Sequence, residues 1–391
     1  VGKSHTLKHI VKELRTTLGA KHVYITASTG TAALAIGGTT VHSFAGVGLA
    51  TAPADELVKK IRYGPRQNWR HCRALVVDEV SMISCDFLNK LDHVARSMKK
   101  NHEKPFGGIQ LILCGDFFQL PPVPERDGVT QFAFQSHSWK EAIKHTIELT
   151  TVFRQSDVGF VTLLNQLRRG IVPSDLHDQL KDCYSMSTAK GNIECSKLYP
   201  RKAQVGNENS KRLYALADAD HVYQAADDGE PAFLNQLVRN CPADEAITLR
   251  EGAQVILLKN LDVVNGLVNG SRGVVMGFDP ETDCPIVEFD NVIKKIEQQE
   301  FSLEVCGEIK ARRIQIPLAL AWALSVHKSQ GMSIDRLYVD LKGVFEYGQA
   351  YVALSRARTL EGLKLAQFNA RAIKAHPDVI EFYDNIVAKT F

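Results

Sequence analysis

Residues 74–82 read Ala74-Leu-Val-Val-Asp78-Glu79-Val-Ser-Met82, and their order decides the fold. Four apolar residues run without alternation into two acids. That is the signature of a short strand covered on both faces, whose polar groups gather at its carboxyl end. Downstream, Ile109 to Cys114 repeats the pattern and ends in Gly115-Asp116; upstream, Val23 to Ala27 ends in Ser28-Thr-Gly-Thr31. Three buried strands that each stop in a polar loop describe a parallel α/β sheet with its chemistry on one edge. Helices fill the intervals. Apolar residues at 7, 10, 11, 14 and 18 share a face over Lys3–Leu18, with Gly19 as the stop, and Phe87 to Met98 carries a second apolar stripe.

Gly2-Lys3-Ser4 stands directly before that first helix. It matches the back half of a phosphate-binding loop, in which helix amides cradle phosphate, lysine neutralises charge and serine binds Mg²⁺. Read alone, the three letters suit a surface turn equally well. Asp78 and Glu79 add weight, because one carboxylate can hold the metal while the other polarises water; the plainer reading makes them caps of the next helix. Gln119, in Gly115-Asp-Phe-Phe-Gln-Leu-Pro-Pro122, can address water and a phosphate oxygen together. A polar loop stiffened by two prolines is the alternative. Arg154 and Arg356 are candidate guanidinium partners for developing phosphate charge, or else surface ion-pair residues. Together these residues point to a nucleoside triphosphatase.

The rest of the chain bounds this reading. The 391 residues are 45% hydrophobic and 23% charged, an ordinary globular composition, and the net charge of +3 excludes a uniformly basic coat. Eight cysteines without any C-x-x-C pair argue against a zinc ribbon and for a reducing compartment. The longest apolar run, Leu318 to Val326, is too short to span a bilayer, and no membrane partner is expected. No signal peptide is visible in a sequence that opens abruptly at Val1. Residues 158–216 read as helical pieces, Asp218–Glu230 as an acidic surface insertion, and 252–316 as short strands with glycine turns forming a small β-barrel-like module. Α/β texture returns with a strand at Leu337–Val339 and helices near 349–355 and 377–386.

Several longer segments occur in one fixed order: Val76-Val-Asp-Glu-Val-Ser-Met82, Gly115–Pro122, Val326-His-Lys-Ser-Gln-Gly331 and Gln349-Ala-Tyr-Val-Ala-Leu-Ser-Arg-Ala-Arg358. This order resembles the helicase motifs of superfamily 1B, and most closely the RecD-like petite-integration-frequency DNA helicase family. Phe87–Arg96 followed by Pro105–Leu111 resembles that family's signature segment. The segments 26–33 and 37–48 resemble its first DNA-contacting motif. The resemblance runs from residue 1 to about 386 and is weakest over 185–245.

It implies ATP-driven 5′-to-3′ translocation on single-stranded DNA, and unwinding of duplexes, forks, G-quadruplexes or RNA–DNA hybrids. The family's roles lie in replication, repair, recombination and telomere maintenance. It implies two RecA-like P-loop NTPase domains with a small SH3-like β insert in the second. Those domains are 1–150, with a possible wedge at 46–72, and 151–251 with 317–391, the insert being 252–316. ATP and Mg²⁺ are the implied cofactors. Lys3 and Ser4 would hold phosphate and metal beside Gly2, Asp78 the metal, Glu79 the attacking water and Gln119 the γ-phosphate. Arg154 and Arg356 would act as arginine fingers, and Gln330 would lie nearest the nucleotide. The start of the phosphate loop and an upstream adenine-reading glutamine are absent from this sequence, so weak ATP binding by the chain as written is expected.

Thr29, Gly30, His42, Ser43 and Phe44, with His327, Lys328 and Ser329, are the expected DNA contacts. Phe44 would pack on a base, or else sit in the core. Residues 59–73 hold six basic residues with Tyr63 and Trp69 and no acid. They read as a solvated face or a strand-separating wedge, interrupted at Gly64-Pro65. A translocase that separates strands poorly, a binding scaffold with a dead nucleotide site, and a phosphotransferase are the competing functions. A monomer in the nucleus or the mitochondrion is the expected state.

Overall fold

The computed structural model describes residues 2–390 except 49, 125–128, 177, 179, 181–182, 184–188, 191–192, 200–201, 263–264, 266, 290–291, 306–307, 327–328, 342–343, 367–368 and 387–388. Two parallel sheets organise it. In the first, Thr39–Thr40, Val23–Ala27, Ala74–Asp78 and Gln110–Leu113 lie side by side in that order. The register pairs Ala27 with both Thr40 and Asp78, so three loops leave the sheet at one level. In the second sheet the order is Ala323–Ser325, Ser196–Tyr199, Leu337–Val339 and Leu363–Leu365, again all parallel. Separate apolar cores underlie the two sheets. This is the expected pair of α/β domains.

The insert is larger than the glycine-turn texture indicates. A five-stranded antiparallel sheet spans Gln254–Leu257 to Leu318–Leu320, and it has its own core of Val255, Leu257, Val275 and Phe289. Strands at His221–Gln224 and Ala226–Gly229 belong with this module. The acidic stretch 218–230 lies on the surface as expected, and part of it is ordered into these strands. Its acids face arginines across a strand pair, Asp227 with Arg313 and Asp228 with Arg312. Arg313 is 1% exposed and donates to both Asp227 oxygens at 2.7 Å, so a surface acid satisfies a buried guanidinium. The apolar run 318–326 likewise splits, its first part in the insert and Ala323–Ser325 in the parallel sheet.

Two further differences bear on the site. Helices Ala54–Lys60 and Tyr63–His71 are separated at 61–62, and Gly64-Pro65 lies in the first turn of the second, where the missing amide of proline breaks no bond. Trp69 is completely buried and donates from Nε1 to the Ala45 carbonyl at 3.1 Å, which removes it from any wedge; Tyr63 remains exposed. The closing helix Pro377–Asn385 does not join the second domain's core. Val379, Ile380, Phe382 and Tyr383 pack on the first domain instead, so the chain returns across the cleft. Among the described residues no helix is long and apolar enough to cross a membrane, and no cysteine is paired.

Candidate active site

Asp78 ends its buried strand with one carboxylate oxygen on the Glu79 amide at 2.9 Å. Glu79 then takes the left-handed region, φ 52° and ψ 46°, at a cost of about 1–2 kcal/mol for a residue with a side chain. Its neighbours hold it there. The Val80 amide donates to the Cys114 carbonyl at 3.0 Å and the Ser28 amide to the Asp78 carbonyl at 3.1 Å. Gly115 permits this approach, since a Cβ there would meet Val80 at 2.9 Å.

Lys3 Nζ lies 3.8 Å from Glu79 Oε2, and the nitrogen is buried with no hydrogen-bond partner. Burial opposes its charge, but Glu79, Cys114, Asp116 and Asp78 outweigh burial and hold its pKa above the ordinary lysine value. A charged, buried ammonium with unused donors at the start of the 16-residue helix Lys3–Leu18 fits a phosphate group. Ser4 is exposed beside it. Asp78 keeps an oxygen free of the Glu79 amide, so Ser4 and Asp78 fit a magnesium ion that arrives with phosphate oxygens. No cluster of three or more acid, histidine or cysteine ligands exists among the described residues to hold a metal alone.

The second domain completes the cluster. Gln330 Nε2 donates to Glu79 Oε2 at 3.1 Å and approaches Gln119 Oε1 at 3.5 Å. Gln119 in turn reaches Asp116 Oδ2 at 3.5 Å. Arg154 is half-buried and donates to the carbonyls of Ser355 and Gly331 at 3.3 Å; burial lowers its pKa against the pull of Tyr351 and Glu79. Arg356 is buried, and burial together with the charge of Arg154 pushes its pKa down to about 9. Its Nε donates to the Val352 carbonyl and its Nη2 to Ser355 Oγ, both at 2.9 Å. Both arginines donate to groups of the second domain; Arg154 keeps part of its surface exposed, while Arg356 is buried.

Three residues here carried no local signal. Arg168 grips Asp116 through two bonds of 3.0 and 2.7 Å, and Tyr383 Oη donates to the same carboxylate at 3.3 Å. Phe153 is 75% exposed yet lies on the phosphate loop, since a Cβ at Gly2 would meet its ring at 3.3 Å. An aromatic residue directly before Arg154 was the only available hint.

The candidate nucleic-acid face adjoins this edge. Thr29 caps the helix Gly30–Ala35 by accepting from the Ala32 amide, and Ser43 Oγ accepts from Thr40 Oγ1 at 3.0 Å. Thr29, Gly30, His42 and Ser43 are all partly exposed, and the His42 ring stacks on Phe87 at 4.2 Å. Two expected contacts are corrected. Phe44 is 1% exposed, wedged between Tyr24 and Trp69, and presents no face to a base. Ser329 is completely buried, with its hydroxyl donated to the Val326 carbonyl. His327 and Lys328 lie outside the described residues.

Comparisons with known proteins bear on the family of the chain. The family PIF1-like helicase matches residues 1–175, and the family DNA helicase Pif1, 2B domain, matches residues 232–278, inside the β insert. A crystal structure of Pif1 helicase from Candida albicans is 40% identical, with 98% of this chain and 93% of that one covered and a TM-score of 0.76. The chain belongs to the Pif1-like helicase family. An ATP-dependent DNA helicase PIF1 of Xenopus laevis is 45% identical over 98% of this chain and 60% of its own length. The chain therefore spans about three fifths of the curated Pif1 relatives it matches. A Bacteroides Pif1 in complex with ADP-AlF4 is 30% identical with a TM-score of 0.84, covering 98% of this chain and 90% of that one. A Bacteroides Pif1 bound to ssDNA, 31% identical over the same shares, has a TM-score of 0.66.

Proposed function

We propose that this chain is the motor core of an ATP-driven DNA helicase that translocates on single-stranded DNA and opens duplexes and forks. One observation carries the reading. A buried lysine without a hydrogen-bond partner, a strained glutamate and two glutamines from separate parts of the chain converge on one cleft between two parallel-sheet domains. Each element has a task there. Lys3 binds the β- and γ-phosphates of substrate ATP, and Glu79 holds the attacking water as it gives up its proton. Magnesium, when bound by Ser4 and Asp78, supplies charge neutralisation at the phosphates. Gln119 and Gln330 sense whether the γ-phosphate is present. Arg154 meets the developing charge first; Arg356 joins after exchanging its carbonyl partners.

Coupling to DNA follows from position. Thr29, Gly30, His42 and Ser43 sit at the carboxyl edge that also carries Asp78 and Glu79, so a phosphate backbone held there feels the same loops. Opening and closing of the cleft, with an alternating grip, gives stepping. The resemblance supports the finer reading: 5′-to-3′ direction, action by a monomer in nucleus or mitochondrion, G-quadruplex and RNA–DNA hybrid substrates, and use in replication, repair, recombination and telomere maintenance. The relatives named as ATP-dependent DNA helicases, and those solved with ADP-AlF4 or ssDNA, support the coarser one.

The test is ATP hydrolysis by the full-length protein with and without single-stranded DNA, followed by single-turnover unwinding of duplexes with 5′ or 3′ tails. Strong DNA stimulation and opening of 5′-tailed duplexes are expected. Stimulated hydrolysis without strand separation replaces the helicase with a translocase, and tight strand binding without hydrolysis replaces it with a scaffold.

A further inference from the structure

Asp116 is a heavily engaged acid that the proposed chemistry does not use. It follows the strand Gln110–Leu113 in the first domain and is 9% exposed. Five donors address its two oxygens. Oδ1 accepts Arg168 Nη2 at 2.7 Å, the Phe118 amide at 3.2 Å and Tyr383 Oη at 3.3 Å. Oδ2 accepts Arg168 Nε at 3.0 Å and Gln119 Nε2 at 3.5 Å. A bidentate guanidinium fixes a carboxylate in plane as well as in place.

The two clamps come from different parts of the fold. Arg168 ends the helix Val158–Arg168, which opens four residues after Arg154. Tyr383 belongs to the closing helix Pro377–Asn385, and its ring stacks on Phe118 at 4.7 Å and 18°. The Arg168 guanidinium lies over both rings, at 4.5 Å from the Phe118 centroid and 5.1 Å from that of Tyr383. The neighbouring Arg169 pairs with Asp384, joining the two helices a second time.

Asp116 also shapes the turn that follows it. The Gln119 amide donates to the Asp116 carbonyl at 3.0 Å, while the carboxylate takes the Phe118 amide. Gln119 is the last residue of that turn. From the far side the turn is touched by Gly348, where a Cβ would run into the carbonyl oxygens of Phe118 and Gln119. The Gln119 side chain is held between Asp116 and Gln330, and the same Gln330 amide bonds Glu79, which Lys3 approaches.

We propose that Arg168 and Tyr383 are positioning residues for hydrolysis, clamping Asp116 so that its turn presents Gln119 to the phosphate site. They touch no nucleotide themselves. Because Arg168 continues the segment that carries Arg154, a shift of the second domain is passed to Gln119 through the same carboxylate. The inference rests on the ATPase reading of the cleft.

The experiment uses the full-length protein with saturating single-stranded DNA and compares Arg168→Gln, Arg168→Lys, Tyr383→Phe, Asp116→Asn and the Asp116→Asn/Arg168→Gln double variant. Arg168→Gln should lower kcat by roughly tenfold or more, as small misplacements at a reacting centre do, with the KM for ATP and the affinity for strand changed far less. Tyr383→Phe should lower kcat by a smaller factor, and Arg168→Lys should restore part of the loss because it keeps the charge but not the fork. The double variant should be no worse than Arg168→Gln alone. In the nucleotide-free protein, exchange of the 117–119 backbone amides should accelerate in both Arg168→Gln and Tyr383→Phe. Parent-like kcat in both single variants, with only the melting temperature lowered, overturns the proposal and leaves a structural tie. Should the parent itself fail to hydrolyse ATP, the ATPase reading falls, yet amide exchange still decides the clamp: unchanged exchange at 117–119 overturns it. Tyr383→Phe removes one hydroxyl and keeps the test open if Arg168→Gln does not fold.

Discussion

The two sides of the cleft hold their charges in opposite ways. On the first sheet's edge, Lys3 is buried without a hydrogen-bond partner and Glu79 sits in a strained backbone region. On the second domain's edge, Arg356 is buried but surrounded by carbonyls and a hydroxyl of its own chain. The first edge is prepared for a ligand before any ligand arrives. The second is internally satisfied and must break bonds to take part. The proposed motor would use such asymmetry: one rigid site that binds, and one partner whose engagement depends on how the domains sit.

The largest effect is expected on the prepared side. Lys3→Ala should abolish hydrolysis while single-strand affinity, measured by fluorescence anisotropy, stays near that of the parent. Retained turnover would break the comparison at its root. Next, Arg154→Ala should cost about 10³-fold in kcat, the lower range for an arginine finger, with DNA binding retained. Arg356→Ala should lower thermal stability as well, because it strips a buried hydrogen-bonding hub, and that difference in melting temperature separates the two arginines.

Phe44 tests where the nucleic-acid face ends. Phe44→Ala should destabilise the fold by about 3–5 kcal/mol in urea unfolding, and Phe44→Leu should leave strand affinity unchanged. Weakened binding by Phe44→Leu at full stability would return this ring to the DNA face. A smaller effect is expected from Phe153→Ala, a rise of a few-fold in the KM for ATP without loss of stability, because the ring is exposed beside Gly2.

The smallest concerns pH. Burial lowers the His42 pKa below its usual 6.5, so the folded state binds fewer protons than the unfolded one just below that value. Stability from this group is complete above pH 6.5 and falls as pH drops toward the lowered value. Urea midpoints at pH 7.5 and 5.5 should differ less in His42→Gln than in the parent.

What could be read locally was read well because parallel strands buried on both faces leave unbroken apolar runs with polar residues at one end. Ala74–Asp78 is buried throughout and obeys this; Gln110–Leu113 is the edge strand, partly exposed, yet its apolar run still ends at the same edge, and together they placed the acid pair and Gln119 there. The acidic stretch at 218–230 was legible as surface but not as strand, because its partners Arg312 and Arg313 lie 84 to 86 residues away and leave no local trace. The insert's true extent was hidden for the same reason. Phe44 and Ser329 show the converse: a residue inside a DNA-contacting segment need not face outward, since the segment also has to be anchored to its core.

By itself the sequence determined the α/β class, the polar edge of the first sheet and the family, since strand burial, helix starts and ordered motifs are properties of consecutive residues. Only the tertiary structure decided that Asp116 is clamped from residues 168 and 383, that the closing helix crosses to the first domain, and that Arg356 is buried among carbonyls of its own domain. Those facts depend on burial and on partners far apart in the chain, and a side chain's desolvation and pairing are fixed only once both partners have been folded together.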